Sequence, residues 1–222
     1  MGIFWGIYSG APPDKSVIAP AAVRGIESLM LDTPKILAFA GSLRTGSFNK
    51  RLVRIAVQAA RDAGAEVTLI DLLDFPLPVL NQDDEDAHGL PENAKKLKAL
   101  FLSHQGLLIA SPEYNSSLSA VLKNTLDWVS RAETPEEPPL AAYTGKIAAL
   151  VSASPGALGG LRGLVHLRAI LGNIGVWTVP AQVCIPKAHE AFTLDGALKD
   201  PNPQAALEAL ARQLVDALRK LA

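Results

Sequence analysis

Three short stretches of this chain gather hydrogen-bond donors, prolines and small residues as ligand-binding loops do. The first, residues 41–49, reads Gly-Ser-Leu-Arg-Thr-Gly-Ser-Phe-Asn. Backbone N–H groups and the dipole at a helix start attract anions. Ser42, Ser47 and Asn49 add neutral donors, Arg44 adds a charged planar one, and Phe48 lies among them. That set suits a terminal phosphate monoester. The loop is neither a Walker A nor a GxGxxG pattern, so a triphosphate or a tightly held dinucleotide is not indicated. Taken alone, the stretch also reads as a helix capped by Ser47 or Asn49.

The second stretch, residues 111–117, is Ser-Pro-Glu-Tyr-Asn-Ser-Ser. Pro112 stiffens the turn, the peptides from Glu113 to Asn115 can meet a planar heterocycle with polar edges, and Tyr114 offers an aromatic face. The third, residues 152–160, is Ser-Ala-Ser-Pro-Gly-Ala-Leu-Gly-Gly. Its small side chains let a backbone approach a ring closely, with Ser152, Ser154 and Gly156 as candidate contacts. Each stretch in isolation is also compatible with an ordinary turn or helix cap.

Short apolar runs alternating with helical patterns must position these loops. Strands are expected at 35–40 (KILAFA), 66–71 (EVTLID), 106–110 (GLLIA), 146–152 (KIAALVS) and 176–179. Helices are expected at 49–63, 91–103, 118–131, 161–171 and 203–221. The first places Leu52, Ile55, Ala56, Ala59, Ala60 and Ala63 on one face and stops at Gly64. Such alternation implies an α/β three-layer sandwich with a five-stranded parallel sheet, in the flavodoxin-like order 2-1-3-4-5. Ligands in such sheets sit beyond the carboxyl ends of the strands, where the three loops fall. Two long loops, 75–89 and 133–145, are expected to border the site or a partner subunit.

Composition narrows the classes. The chain has 222 residues, 49% hydrophobic and 19% charged, which is the make-up of a globular domain with a substantial core. A formal net charge of -1 argues against a broad basic surface for nucleic acid. The single cysteine, Cys184, excludes an intramolecular disulfide framework and is read as a buried structural thiol. No apolar run approaches the roughly 18 residues of a membrane span. Residues 1–33 are expected to form a poorly ordered extension, or to reflect translation begun upstream of Met30, with 34–222 the folded domain.

Several conspicuous residues take structural readings. The four histidines lack metal-ligand spacing, and no metal site is expected. The acidic run Asn-Gln-Asp-Asp-Glu-Asp at 81–86 reads as a solvated loop. Trp128 and Trp177 are expected in the core, and Asp127 is expected to hold a loop by hydrogen bonds.

With all three loops in order, the chain resembles the NADPH-dependent FMN reductase family, which includes bacterial quinone, chromate and azo-dye reductases. The resemblance covers roughly residues 35–221 and is carried by GSLRTGSFN, by SPEYN with LKNTLDW at 122–128, and by SASPGALGG. It implies that Ser42, Arg44, Ser47 and Asn49 hold the FMN phosphate. It further implies that Pro112, Glu113, Tyr114 and Asn115 border the isoalloxazine ring, and that Ser152 and the following turn close the ribityl and pyrimidine side. The family usually continues PEYN with Gly-Ser-x-Pro-Gly, whereas here stand Ser116, Ser117, Leu118, Ser119 and Ala120. That change is expected to spare FMN binding and to reshape the acceptor pocket. A tyrosine common in the family before His-Leu-Arg is Val165 here, so the resemblance does not carry over a subunit contact made through that tyrosine.

The resemblance implies an oxidoreductase using FMN, with NADPH or NADH as co-substrate. Small acceptors such as quinones, free flavin, chromate or azo compounds would be reduced by ping-pong use of one site. The flavin would carry the chemistry, so no catalytic side chain is expected. A cytoplasmic homodimer or homotetramer is expected by analogy. The alternative is a flavodoxin-type electron carrier without its own NAD(P)H turnover. Such carriers are usually strongly acidic, and this chain is nearly neutral.

Overall fold

The computed structural model describes residues 33–221, and the expectation for the amino-terminal extension lies almost wholly outside them. Strand β1 (Lys35–Ala40) leads to helix α1 (Phe48–Asp62), β2 (Glu66–Asp71) and a short 3-10 turn, Leu72–Asp74. Then follow α2 (Gln82–His88), α3 (Glu92–Leu102), β3 (Gly106–Ala110) and a tiny hairpin, β4 (Glu113–Tyr114) and β5 (Ser117–Leu118). The chain continues through α4 (Ala120–Val129), β6 (Ile147–Ala153), α5 (Leu161–Asn173), β7 (Trp177–Ile185), α6 (Ala188–Ala191) and α7 (Pro201–Leu221).

The main sheet has five strands in the order β2-β1-β3-β6-β7, all parallel. With the hairpin strands set aside, this is the flavodoxin-like order. Strands covered on both faces have little use for polar residues, which explains the uninterrupted apolar runs of β1, β3 and β6. Alternation then divides each strand between two cores. Ile36 and Ala38 of β1 pack with α1 and α7, whereas Leu37 and Phe39 pack with α3, α4 and α5. No helix among the described residues is long and apolar enough to cross a membrane.

Strand β7 is longer than the apolar run at 176–179 suggests because it continues through Pro180. Proline cannot donate to a ladder and is confined to edges and bulges. Here it has both: β7 ends the sheet, and its register with β6 jumps between Ala148–Thr178 and Leu150–Gln182. Trp177, expected in the core, is instead 71% exposed at the start of this edge strand. Trp128 is buried, and its indole N–H donates to the Pro78 carbonyl at 2.8 Å.

The long loops also differ from expectation. Residues 82–88 form α2 rather than a loop, because Asn81 caps the Asp83 N–H and three acidic residues in the first turn favour the helix dipole. Glu85 ties this helix to Arg131 at 2.8 and 2.9 Å. Asp127 holds no loop; it accepts from Lys123 one turn away on α4. Asn124 does that work, receiving the Leu80 N–H and donating to Pro78.

The loop at 133–145 is anchored by a buried cation. Lys98 of α3 donates to the Arg131 carbonyl at 2.6 Å and pairs with the Glu137 carboxylate. Burial opposes ionisation of Glu137, but the bonds from Lys98 and the Glu133 N–H, with the Lys98 charge, outweigh it and lower its pKa. A carboxyl group with a lowered folded pKa contributes stability above its unfolded pKa, and that contribution is lost as pH falls through the folded value. Lys98→Met should therefore cost about 3 kcal/mol at pH 7 by stranding Glu137. Urea unfolding should show the gap from wild type narrowing in acid, below the ordinary carboxylate value of 4.5.

Candidate functional site

The three loops meet at the carboxyl ends of β1, β3 and β6. Between them lies a cleft of about 70 Å³ bordered by Ser42, Arg44, Ser47, Phe48, Asn49, Pro112, Glu113, Tyr114, Ala153, Ser154 and Pro155. A larger hollow of about 520 Å³ sits at the opposite, amino end of the sheet, among Lys35, Glu66 and Gln105. That end lacks the helix N-termini and convergent loops that make a ligand site in a parallel sheet.

On the first loop, Ser42 Oγ accepts the Arg44 N–H at 3.3 Å, and Ser47 Oγ caps α1 by accepting the Lys50 N–H at 3.4 Å. Each hydroxyl therefore keeps its own proton to donate into the cleft. Phe48 and Asn49 occupy the first turn of α1, where N–H groups have no intrahelical acceptor. Arg44 is exposed and forms no ion pair among the described residues. Neighbouring Lys50 is committed elsewhere: its Nζ lies 2.6 Å from Asp71. Burial opposes ionisation of Asp71, but the Lys50 bond, the Leu73 N–H and the nearby cations hold its carboxyl below the usual range.

Asn49 plays a different part from the one its sequence position suggests. Its amide donates to the Ala153 carbonyl and accepts the Ala153 N–H, each at 2.9 Å. The side chain is buried and clamps the start of α1 to the end of β6. It borders the cleft, but its main duty is to hold two of the loops in register.

The second loop folds back on itself as the β4–β5 hairpin, turning at Asn115 and Ser116, both with positive φ. Two such residues between paired strands make the tight turn whose twist suits a hairpin. Pro112 and Tyr114 form the wall facing the first loop, with Tyr114 51% exposed. Asn115, in the turn, does not line the cleft. Glu113 turns its carboxylate to α5, accepting from Arg162 at 2.6 and 3.1 Å and from the Gly163 N–H at 3.1 Å. Ser119, one of the departures after PEYN, caps α4 and donates to the Gly41 carbonyl at 2.6 Å, joining the second loop to the first.

On the third loop only Ser154 of the expected contacts reaches the cleft. The strand runs one residue past Ser152, so this side chain is fully buried and donates to the Ser111 carbonyl at 2.6 Å. Gly156 is drawn away into a turn, where its carbonyl accepts the N–H groups of Gly159 and Lys187. Gly160 takes φ +94°, and a Cβ there would stand 1.8 Å from Ser152 Oγ. Half-buried Cys184 lies nearby, its thiol pushed up to about 11 by burial and then by the charge of Glu113. Arg162 and His166 were not among the residues expected here; the sole hint was the helix start at Leu161 behind an uncapped Gly-Gly.

The cleft fits FMN in its chemistry: two free hydroxyl protons, a guanidinium with no ion pair among the described residues and a helix N-terminus for a phosphate, faced by proline and tyrosine. Fold and cleft together define a flavodoxin-like α/β protein built to seat a phosphate-bearing planar ligand. Residues 34–190 match the family described as NADPH-dependent FMN reductase. An NAD(P)H-dependent FMN reductase of Pseudomonas aeruginosa is 36% identical over 172 residues, covering 77% of this chain and 88% of its own length. An Arabidopsis thaliana NADPH:quinone oxidoreductase is 37% identical, covering 67% of this chain and 70% of its own. Among solved structures, the flavoenzyme NAD(P)H:(acceptor) oxidoreductase FerB of Paracoccus denitrificans superposes with a TM-score of 0.69 at 26% identity. That match covers 85% of this chain and 98% of FerB. The chain belongs to the NADPH-dependent FMN reductase family and is an FMN- and NAD(P)H-dependent oxidoreductase.

Asn49→Ala should cost about 2 kcal/mol of unfolding free energy even without flavin, since it removes two buried hydrogen bonds. Denaturant titration of flavin-free protein measures this. A residue serving the phosphate alone would leave that value unchanged.

Proposed function

We propose that residues 34–222 form one FMN-binding domain that passes electrons from NAD(P)H to a small acceptor, such as a quinone, free flavin, chromate or an azo compound. The observation that carries this is the convergence of unclaimed donors on the cleft: the hydroxyls of Ser42 and Ser47, Arg44 and the first turn of α1. These groups hold a phosphate by charge-assisted hydrogen bonds in a fixed geometry. Pro112 and Tyr114 flank the ring, and Ser154 closes the remaining side. Bound FMN supplies two-electron chemistry between nicotinamide and acceptor.

The chain's own residues act by placement. Arg44 and the helix N-terminus anchor one end, and the Pro112–Tyr114 wall sets the plane at the other. Orientation of this kind is a large part of catalysis when reacting rings must stack. Use of one cleft by nicotinamide and acceptor in turn gives a ping-pong order. A homodimer or homotetramer in the cytoplasm completes the proposal. Exposed Leu161 and Val165 on α5, with Trp177 beyond, offer apolar surface for a second copy.

Purified protein should show a bound-flavin spectrum that bleaches with NADPH under anaerobic conditions and recovers when a quinone is admitted. Arg44→Ala should weaken FMN retention by at least about tenfold, the loss of one charge-assisted bond. A flavin that NADPH cannot bleach would make the chain an electron carrier, and failure to bind added FMN would overturn the proposal. Light scattering should return a multiple of the chain mass; a monomer would remove the oligomer from it.

A further inference from the structure

Helix α5 begins without a cap of its own. Its N-cap position is Gly160, which has no side chain to receive the first N–H groups. The missing acceptor comes from a different part of the chain: Glu113 Oε2 accepts the Gly163 N–H at 3.1 Å. Its other oxygen takes both Nε and Nη2 of Arg162, the second residue of the helix. A carboxylate at a helix N-terminus also gains from the dipole. Within this pair the carboxylate is enclosed and the guanidinium largely open, at 9% and 57% side-chain exposure.

Close approach makes the contact possible. A Cβ on Gly163 would lie 3.1 Å from the Ser117 carbonyl and 3.4 Å from Glu113 Cβ. A second tie follows one turn along, where His166 Nδ1 and Ser117 Oγ are 2.9 Å apart. Both strands of the β4–β5 hairpin are thus fastened to α5, one through Glu113 and one through Ser117. Tyr114, adjacent to Glu113, stands half-exposed at the cleft mouth, and no hydrogen bond from its own hydroxyl holds it there among the described residues.

We propose that Glu113 is a positioning residue whose carboxylate latches the hairpin to α5 and thereby sets Tyr114 against the flavin ring. This rests on the cleft holding FMN. The Glu113 carboxylate is engaged with α5, and the residue acts through Tyr114. Its capping bond and ion pair form together, so the hairpin and the helix start are ordered as one unit.

The test uses the full chain. Glu113→Ala should weaken FMN binding by about tenfold, as expected for a lost charge-assisted bond, and should reduce the visible circular dichroism of the bound ring. Glu113→Gln, which keeps an acceptor for the Gly163 N–H, should fall between. Because Glu113 works through Tyr114, Glu113→Ala combined with Tyr114→Ala should bind FMN no more weakly than Tyr114→Ala alone. Additive losses would overturn the proposal. In flavin-free protein, Glu113→Ala should speed amide exchange at residues 113–118 and the first turn of α5 and leave the sheet unchanged. Unchanged exchange at the hairpin, or acceleration throughout the sheet, would overturn the latch. This readout stands even if wild-type protein takes up no FMN, an outcome that would sink the reading of the cleft alone.

Discussion

The two hydrogen bonds between the Asn49 amide and the Ala153 backbone join the first turn of α1 to the last residue of β6. Their partners are 104 residues apart in sequence, and both lie at the carboxyl edge of the sheet. That clamp couples the helix start that offers N–H groups to an anion with the turn that follows β6. Ser119, bonded to the Gly41 carbonyl, ties in the third member. The cleft is therefore a rigid corner, and the residues that make it rigid are distinct from those whose donors remain free. Ser42, Ser47 and Arg44 can address a ligand because Asn49 and Ser119 fix the backbone that carries them.

Much of this was legible in the residues. The runs KILAFA and GLLIA became β1 and β3 with the expected limits, since strands buried on both faces leave a continuous apolar trace. EVTLID became β2, a partly exposed edge strand of mixed composition, also with its expected limits. The parallel order followed from alternation with helices, and the three loops at its carboxyl edge followed from the order. What was not legible depends on neighbours distant in sequence. Trp177 has the composition of a core residue, but β7 is the edge of the sheet. Pro180 hid the second half of that strand, because only pairing shows that an edge and a bulge accommodate it. The acidic run at 81–86 is solvated, as its composition implies, but it lies largely in a helix rather than a loop, because Asn81 caps the Asp83 N–H.

Within the cleft, residue types pointed to the loops that the fold brings together but not to the work of each side chain. Asn49, Ser152 and Glu113 were all expected at a ligand. Each proves committed inside the protein: to Ala153, to the Ser111 carbonyl, and to α5. Polar residues at a buried corner must find partners whether or not a ligand is near. A pattern that marks a site thus also marks its scaffold, and only the hydrogen-bond partners separate the two.

The burial of Cys184 bears on what the protein can survive. Burial, and then the charge of Glu113, push the thiol up to about 11, so it stays neutral at pH 7. Thiolate is the form that attacks electrophiles and is oxidised by peroxide. Reduced flavins exposed to air give rise to peroxide. By holding its sole sulfhydryl in the neutral form, beside the Glu113 carboxylate, the chain withholds the side chain that peroxide would damage first.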